Sequence, residues 1–281
     1  MAVILAVVSA AVYGAADFLG GVATRRSTAF AVVVWSQLAG LVALAAAAAV
    51  MGDAPAPARD LAWGAVGGLG GGTGVVLLYR GLSIGRMSVV APTSAVIGAV
   101  LPVLVGLGLG ERPHAAALAG VAVALLAIIL VSSGPDGSAD AVLGGRVRPG
   151  LREAVGAGMG FALFFVALAN AGDDAGLWPL LAARVSIVVA AVGGLVTRSA
   201  LRPAPGAWGR IVVVGLLDMT SNLLYVLATR RGLLSLVAVL VSLYPASTVL
   251  LARVVLGERM TGRQVVGLVA AGAGVALIAA V

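Results

Sequence analysis

Among the ionisable side chains inside the long apolar runs of this chain three stand out: Asp17, Arg184 and Asp218. A charge at the centre of a membrane helix costs about 2.5–3.5 kcal/mol on insertion scales, so each needs a partner, a water-filled cavity or a task. Asp218 heads a polar stripe, with Ser221, Asn222, Tyr225 and Thr229 following at spacings of 3, 4, 7 and 11, all on one helical face. A carboxylate there can engage a cationic group or carry a proton, the Arg184 guanidinium can engage an anionic group, and Asn222 and Tyr225 can add hydrogen bonds. Asp17 continues a row with Ser9 and Tyr13 at steps of four, and with Asp218 it is a candidate for proton coupling. Each group also has a plainer reading: Arg184 and an acid neutralise each other as a strut or gate, and the hydroxyls act as interhelical glue.

Other chemistries find less support. Two carboxylates can share a proton and activate water, so an aspartyl hydrolase built on Asp17 and Asp218 is an alternative; neither lies in a Gly-rich active-site signature. The chain has no cysteine and one histidine, His114, placed at a helix start after Glu111-Arg112-Pro113. No metal site and no cofactor is expected. The net charge of +7 comes from arginine alone, and most arginines fall between apolar runs, where they meet lipid phosphates; no nucleic acid is expected as a partner.

The elements that must position these groups are membrane spans. Hydrophobic residues make up 61% of the 281, charged residues 10%, and mean hydropathy is +1.14, beyond what a water-soluble domain can bury around one core. A spanning helix needs about 20 apolar residues, and ten segments qualify: 2–23, 29–51, 60–82, 87–109, 114–132, 154–172, 177–197, 207–229, 235–256 and 262–281. Residues 133–153 form a Gly, Pro, Asp and Arg mixture that reads as a linker between a first unit, 1–132, and a second, 154–281. Sequence similarity joins the two units: APTSAVIGAVLPVLVGLGLGER at 91–112 returns as AVLVSLYPASTVLLARVVLGER at 238–259, an offset of 147. Five spans per unit is an odd number, so the fold class expected is an all-α integral membrane protein of ten transmembrane helices in two inverted five-helix repeats. At the same offset Gln37 falls on Arg184, giving both units a polar side chain at one inward position.

Prolines interrupt the repeated segment: Pro92 and Pro102 in the fourth span, Pro245 in the ninth. Each denies a hydrogen bond to the carbonyl four residues back, at Ser88, Gly98 and Val241, and free backbone at membrane depth is tolerated where it meets protein, water or substrate. Helix breaks in both units are therefore expected there, with Ser94, Ser242 and Tyr244 beside them; a packing kink is the plainer reading. Gly64, Gly68 and Gly72 recur every four residues, as do Gly67 and Gly71, a small-residue face for close helix approach. The fifth and tenth spans carry no polar side chain from Gly120 to Val131 and from Gly267 to Val281. They are expected at the periphery, facing lipid or a second copy, with the molecule a monomer or a weak homodimer through them.

Two units of five spans, each with a proline-bearing fourth span closing on Gly-Glu-Arg (Gly110-Glu111-Arg112 and Gly257-Glu258-Arg259), resemble the EamA-like family of the drug/metabolite transporter superfamily. The resemblance covers the chain outside 133–153. It implies a secondary transporter in the cell membrane, not an enzyme, working by alternating access and often exporting amino acids or other small metabolites. The small-molecule substrate would lie near the midplane between the repeats, touching Asp218, Asn222, Tyr225, Arg184, Tyr244, Gln37 and Ser94. A packing subunit without transport of its own is the bland alternative. Arginine counting between spans favours both termini outside, whereas the resemblance implies both inside.

Overall fold

A computed structural model describes residues 1–51, 55–84, 87–132, 150–257 and 259–280. Most of the expected linker, 133–149, lies outside the described residues, as do Gly85, Arg86, Glu258 and Val281. The structure is helical, with no strand among the described residues: α1 (Ala2–Thr24), α2 (Ala29–Met51), α3 (Ala58–Ile84), α4 (Met87–Gly108), α5 (Ala115–Ser132), α6 (Leu151–Ala169), α7 (Trp178–Ala182), α8 (Ser186–Val196), α9 (Trp208–Thr229), α10 (Leu234–Val241), α11 (Tyr244–Leu256) and α12 (Gly262–Ala279). Eight stretches are long and apolar enough to cross a membrane, counting α7 with α8 and α10 with α11 as one each, and two shorter apolar helices run over Thr93–Gly108 and Ala115–Val131. The sixth helix starts at Leu151, three residues inside the stretch read as linker.

The breaks do not fall where proline alone would put them. α4 is one uninterrupted helix through both Pro92 and Pro102, which corrects the expectation of breaks there. Neighbouring helices, hydroxyls and small backbone adjustments make a lost bond bearable in membrane helices. In the ninth span α10 does stop at Val241, and Pro245 enters in the first turn of α11, where its missing N–H would have had no partner anyway. A second break has no proline within it: a 3₁₀ turn at Ala183–Val185 separates α7 from α8 and carries Arg184. Both breaks lie in the second unit, while their counterparts in the first unit, α2 and α4, stay continuous.

Glycine explains how the helices come close enough. Lipid tails are as apolar as leucine, so association in a membrane rests on packing and hydrogen bonds, and small residues permit it. α3 uses its glycines on two faces: Gly64, Gly68 and Gly72 lie against Pro179, Ala183 and Ser186, while Gly67, Gly71 and Gly74 lie against Ala167, Phe164 and Phe161 of α6. A methyl group at Gly68 would strike the carbonyl oxygen of Ala183, and one at Gly215 in α9 would strike that of Ser36 in α2.

Those two contacts are counterparts under the 147-residue offset with the units exchanged, 68 with 183 and 215 with 36. The peripheral pair behaves alike: Gly120 of α5 meets Ile278 of α12, and Gly267 of α12 meets Val131 of α5. Larger packings follow suit. α3 lies along α6 and α1 along α9, α4 packs on α6 and α11 on α1, and α5 and α12 pack on each other.

Glu111, in the loop after α4, reaches across to the other unit. Its carboxylate accepts hydrogen bonds from the backbone N–H groups of Leu234 at 2.6 Å and Ser235 at 3.0 Å, two donors in the first turn of α10 that the helix itself cannot satisfy. Nearby, Asp60 accepts from the Gly172 N–H at 3.0 Å and Arg230 donates to the carbonyls of Gly172 and Gly176. These contacts pin the α6–α7 loop and the start of α10 at one end of the bundle.

Candidate functional site

α9 carries the central polar group because its inward face, read from the sequence as a stripe, packs against α1 and α2. Asp218 Oδ2 accepts a hydrogen bond from Arg184 Nη1 at 2.9 Å and another from Gln37 Nε2 at 3.1 Å. Arg184 Nη1 also donates to Gln37 Oε1, which takes a longer contact from the Ser186 hydroxyl at 3.4 Å. The side chains of Arg184 and Asp218 are 6% and 20% exposed. The charges of this pair cancel, and Gln37 binds both partners. Arg184 Nε is buried without a hydrogen-bond partner among the described residues.

Gln37 and Arg184 are 147 residues apart, so each touches its own counterpart in the other unit. The contact depends on the 3₁₀ turn, which puts Arg184 beside α2 at the point where α3 approaches closely through Gly68.

These groups form part of the wall of a cavity of about 120 Å³, against roughly 10–15 Å³ of such space for one water. Tyr13, Asp17, Ser94, Asn222, Ser242 and Tyr244 line it with the triad, and Phe161, Phe164 and Phe165 of α6 supply an aromatic wall. Ser186 of α8 adds a hydroxyl, and the remaining lining comes from glycines and aliphatic residues of α2, α3, α4, α7 and the 3₁₀ turn, and from none of α5 or α12. Asn222 is oriented at both ends: its Nδ2 donates to the Asp218 carbonyl at 2.8 Å, and its Oδ1 accepts from Tyr13 at 2.5 Å. Tyr13 in turn lies 6.5 Å, centroid to centroid, from the ring of Tyr244. Asp17 is exposed, and it makes no hydrogen bond or ion pair among the described residues.

Of the residues singled out in the sequence, Gln37, Ser94, Arg184, Asp218, Asn222, Tyr244 and Asp17 line this one cavity. Tyr225 does not. It is fully buried, its hydroxyl donates to the Phe165 carbonyl at 2.6 Å, and its ring packs on Phe165, so it ties α9 to α6. Thr229 bonds within its own helix, and Ser221 bridges locally to the Asp218 carbonyl while its own carbonyl accepts from Ser9. Pro245 lies directly beside a lining residue; Pro102 is buried in α4 and outside the lining. The aromatic wall was missed in the sequence. Its signal was there to read, since three of the five phenylalanines fall within residues 161–165.

Residues 1–133 and 149–280 match the sequence model described as the EamA-like transporter family. A solved crystal structure, titled only as that of a protein, superposes with a TM-score of 0.78 over 99% of this chain and 98% of its own, at 19% identity. That likeness is one of fold. No protein of curated function matches the chain in sequence.

Proposed function

This multi-pass membrane protein belongs to the EamA-like transporter family, and on that premise we propose that it is a secondary transporter of a small organic metabolite, working as an exporter by alternating access to the central cavity. The observation that carries the proposal is the meeting of Gln37 with Arg184 at the cavity wall. A side chain that touches its own counterpart lies on the axis relating the two units. With the exchanged contacts of Gly68 and Gly215, this supports ten helices in two inverted five-helix repeats, the arrangement in which a midplane site is opened to each side in turn. The 3₁₀ turn at Arg184 and the stop at Ser242–Leu243 border the same cavity, and interruptions of this kind serve as hinges and ligand-facing backbone.

In this reading Gln37, Ser94, Arg184, Asp218, Asn222 and Tyr244 contact the solute, and Asp17 or Asp218 carries a proton if transport is proton-coupled. α5 and α12 face lipid, or a second copy in a weak homodimer, through exposed side chains such as Leu118, Leu126, Val265 and Val269. Hydrolysis by Asp17 with Asp218 is disfavoured, because Asp218 is held by a guanidinium and an amide. Solute counterflow in proteoliposomes tests the proposal. Gly98 lines the cavity, and a Cβ there would meet nothing nearer than 3.5 Å, so Gly98→Val starts from ordinary contact, fills the space, and its unfolding midpoint reports whether the helices are forced apart. Counterflow that disappears in Gly98→Val, with an unchanged unfolding midpoint, supports the reading; full counterflow in that variant contradicts it.

A further inference from the structure

The cavity's charges narrow the class of solute. We infer that it takes a small organic monocation with an apolar body, an amine or quaternary ammonium, with Asp17 as the counter-charge; the inference rests on the transport reading above. Three lining side chains are ionisable acids or bases of the Asp and Arg type: Arg184, Asp218 and Asp17. The first two are committed to each other at 2.9 Å and are further tied through Gln37, so they add no net charge. Asp17 remains, exposed and without an ion-pair or hydrogen-bond partner among the described residues. In its ionised form Asp17 therefore gives the cavity one uncompensated negative charge.

The walls suit the same ligand. Tyr13, Phe161, Phe164, Phe165 and Tyr244 line the cavity, and aromatic faces attract cations and accommodate apolar bodies. An anion would meet Asp17 and would have to compete with Asp218 for Arg184. A zwitterion would satisfy Asp17 while bringing a further carboxylate to a guanidinium that Asp218 already neutralises. A monocation leaves no charge over.

Three probes with nearly the same body and different charge test this: choline, its neutral carbon isostere 3,3-dimethylbutan-1-ol, and the zwitterion glycine betaine. Binding is measured calorimetrically on the full chain in detergent. Choline is expected to bind at least tenfold tighter than either of the others. Asp17→Asn should weaken choline by about tenfold to a hundredfold, as for loss of a charged contact, and leave the alcohol unchanged, while Asp17→Glu keeps choline binding. Unfolding midpoints check that both variants fold. Equal binding of all three probes, choline binding indifferent to Asp17→Asn, or no choline binding would each overturn the inference. The chain has no native cysteine, so a single thiol at Ala95 reports on the wider reading separately. Labelling from both membrane sides alongside failed choline selectivity sinks the monocation alone; labelling from one side only sinks alternating access, whatever binds.

Discussion

Arg184 is 6% exposed and Asp218 20%, so their pairing should be visible as coupling and not only as two separate losses. Asp218→Asn removes the negative charge and leaves a buried guanidinium whose remaining contacts are neutral. Breaking a buried pair from one side costs about 3–5 kcal/mol. The partial exposure of Asp218 to the cavity argues for the lower end, about 3 kcal/mol, which corresponds to roughly 6–12 °C in unfolding midpoint for a chain of this size. Arg184→Gln leaves the acid, which cavity water can reach, and should cost about 2 kcal/mol. In the double variant no charge is stranded and two amides can bond to Gln37, so its stability should lie near that of the milder single variant. The cycle then closes with a coupling of about 2–3 kcal/mol. Thermal unfolding of the four proteins in one detergent measures it. Losses that add to within about 0.5 kcal/mol would refute the pairing as described here.

Glu111→Gln should destabilise the protein by about 1–2 kcal/mol, through weaker capping of Leu234 and Ser235 and loss of a negative charge at a helix N-terminus; faster amide hydrogen exchange confined to the first turn of α10 would locate the effect. Gly68→Ala and Gly215→Ala should each cost about 1–3 kcal/mol by forcing backbone apart, whereas Gly21→Ala, with nothing within 4 Å of the added carbon, should be neutral or slightly stabilising in thermal unfolding. Tyr225→Phe removes one buried hydrogen bond to a carbonyl within α6 and should cost about 0.5–1.5 kcal/mol, yet leave the affinity for a transported solute unchanged in a binding assay, because Tyr225 does not reach the cavity.

Helical periodicity and the repeat made much of this legible in the sequence. The stripe from Asp218 pointed to one face of α9, and the offset of 147 paired Gln37 with Arg184 before any contact between them was visible. What stayed hidden was set by depth and by neighbours. Tyr225 shares the helical face of Asp218, but two turns further along that face meets Phe165 and not the cavity. Ala-Ala-Arg-Val contains no helix breaker; the 3₁₀ turn arises where α3 presses on Ala183 through Gly68, and no local preference encodes that. Pro92 and Pro102 carry a strong breaking signal, and α4 runs through them because a membrane helix has no competing water to take its backbone. The Gly-Glu-Arg ending identified a family pattern, while the work of Glu111, capping a helix 123 residues away, depends on the other unit being in place. Asp17 looked like one of two similar acids. The separation of their roles came from the partner that Asp218 has and Asp17 lacks.

The central claim is that one cavity serves both faces of the membrane. Ala95 and Ser242 are counterparts at the offset of 147, both line the cavity, and they are 3% and 1% exposed. Single Ala95→Cys and Ser242→Cys variants, reconstituted in vesicles, can be challenged with a membrane-impermeant thiol reagent added outside only or trapped inside only. The account expects each position to be labelled from both sides, with a saturating solute slowing both reactions. Labelling of either thiol from one side alone, with the opposite side inert over the lifetime of the sample, would contradict it.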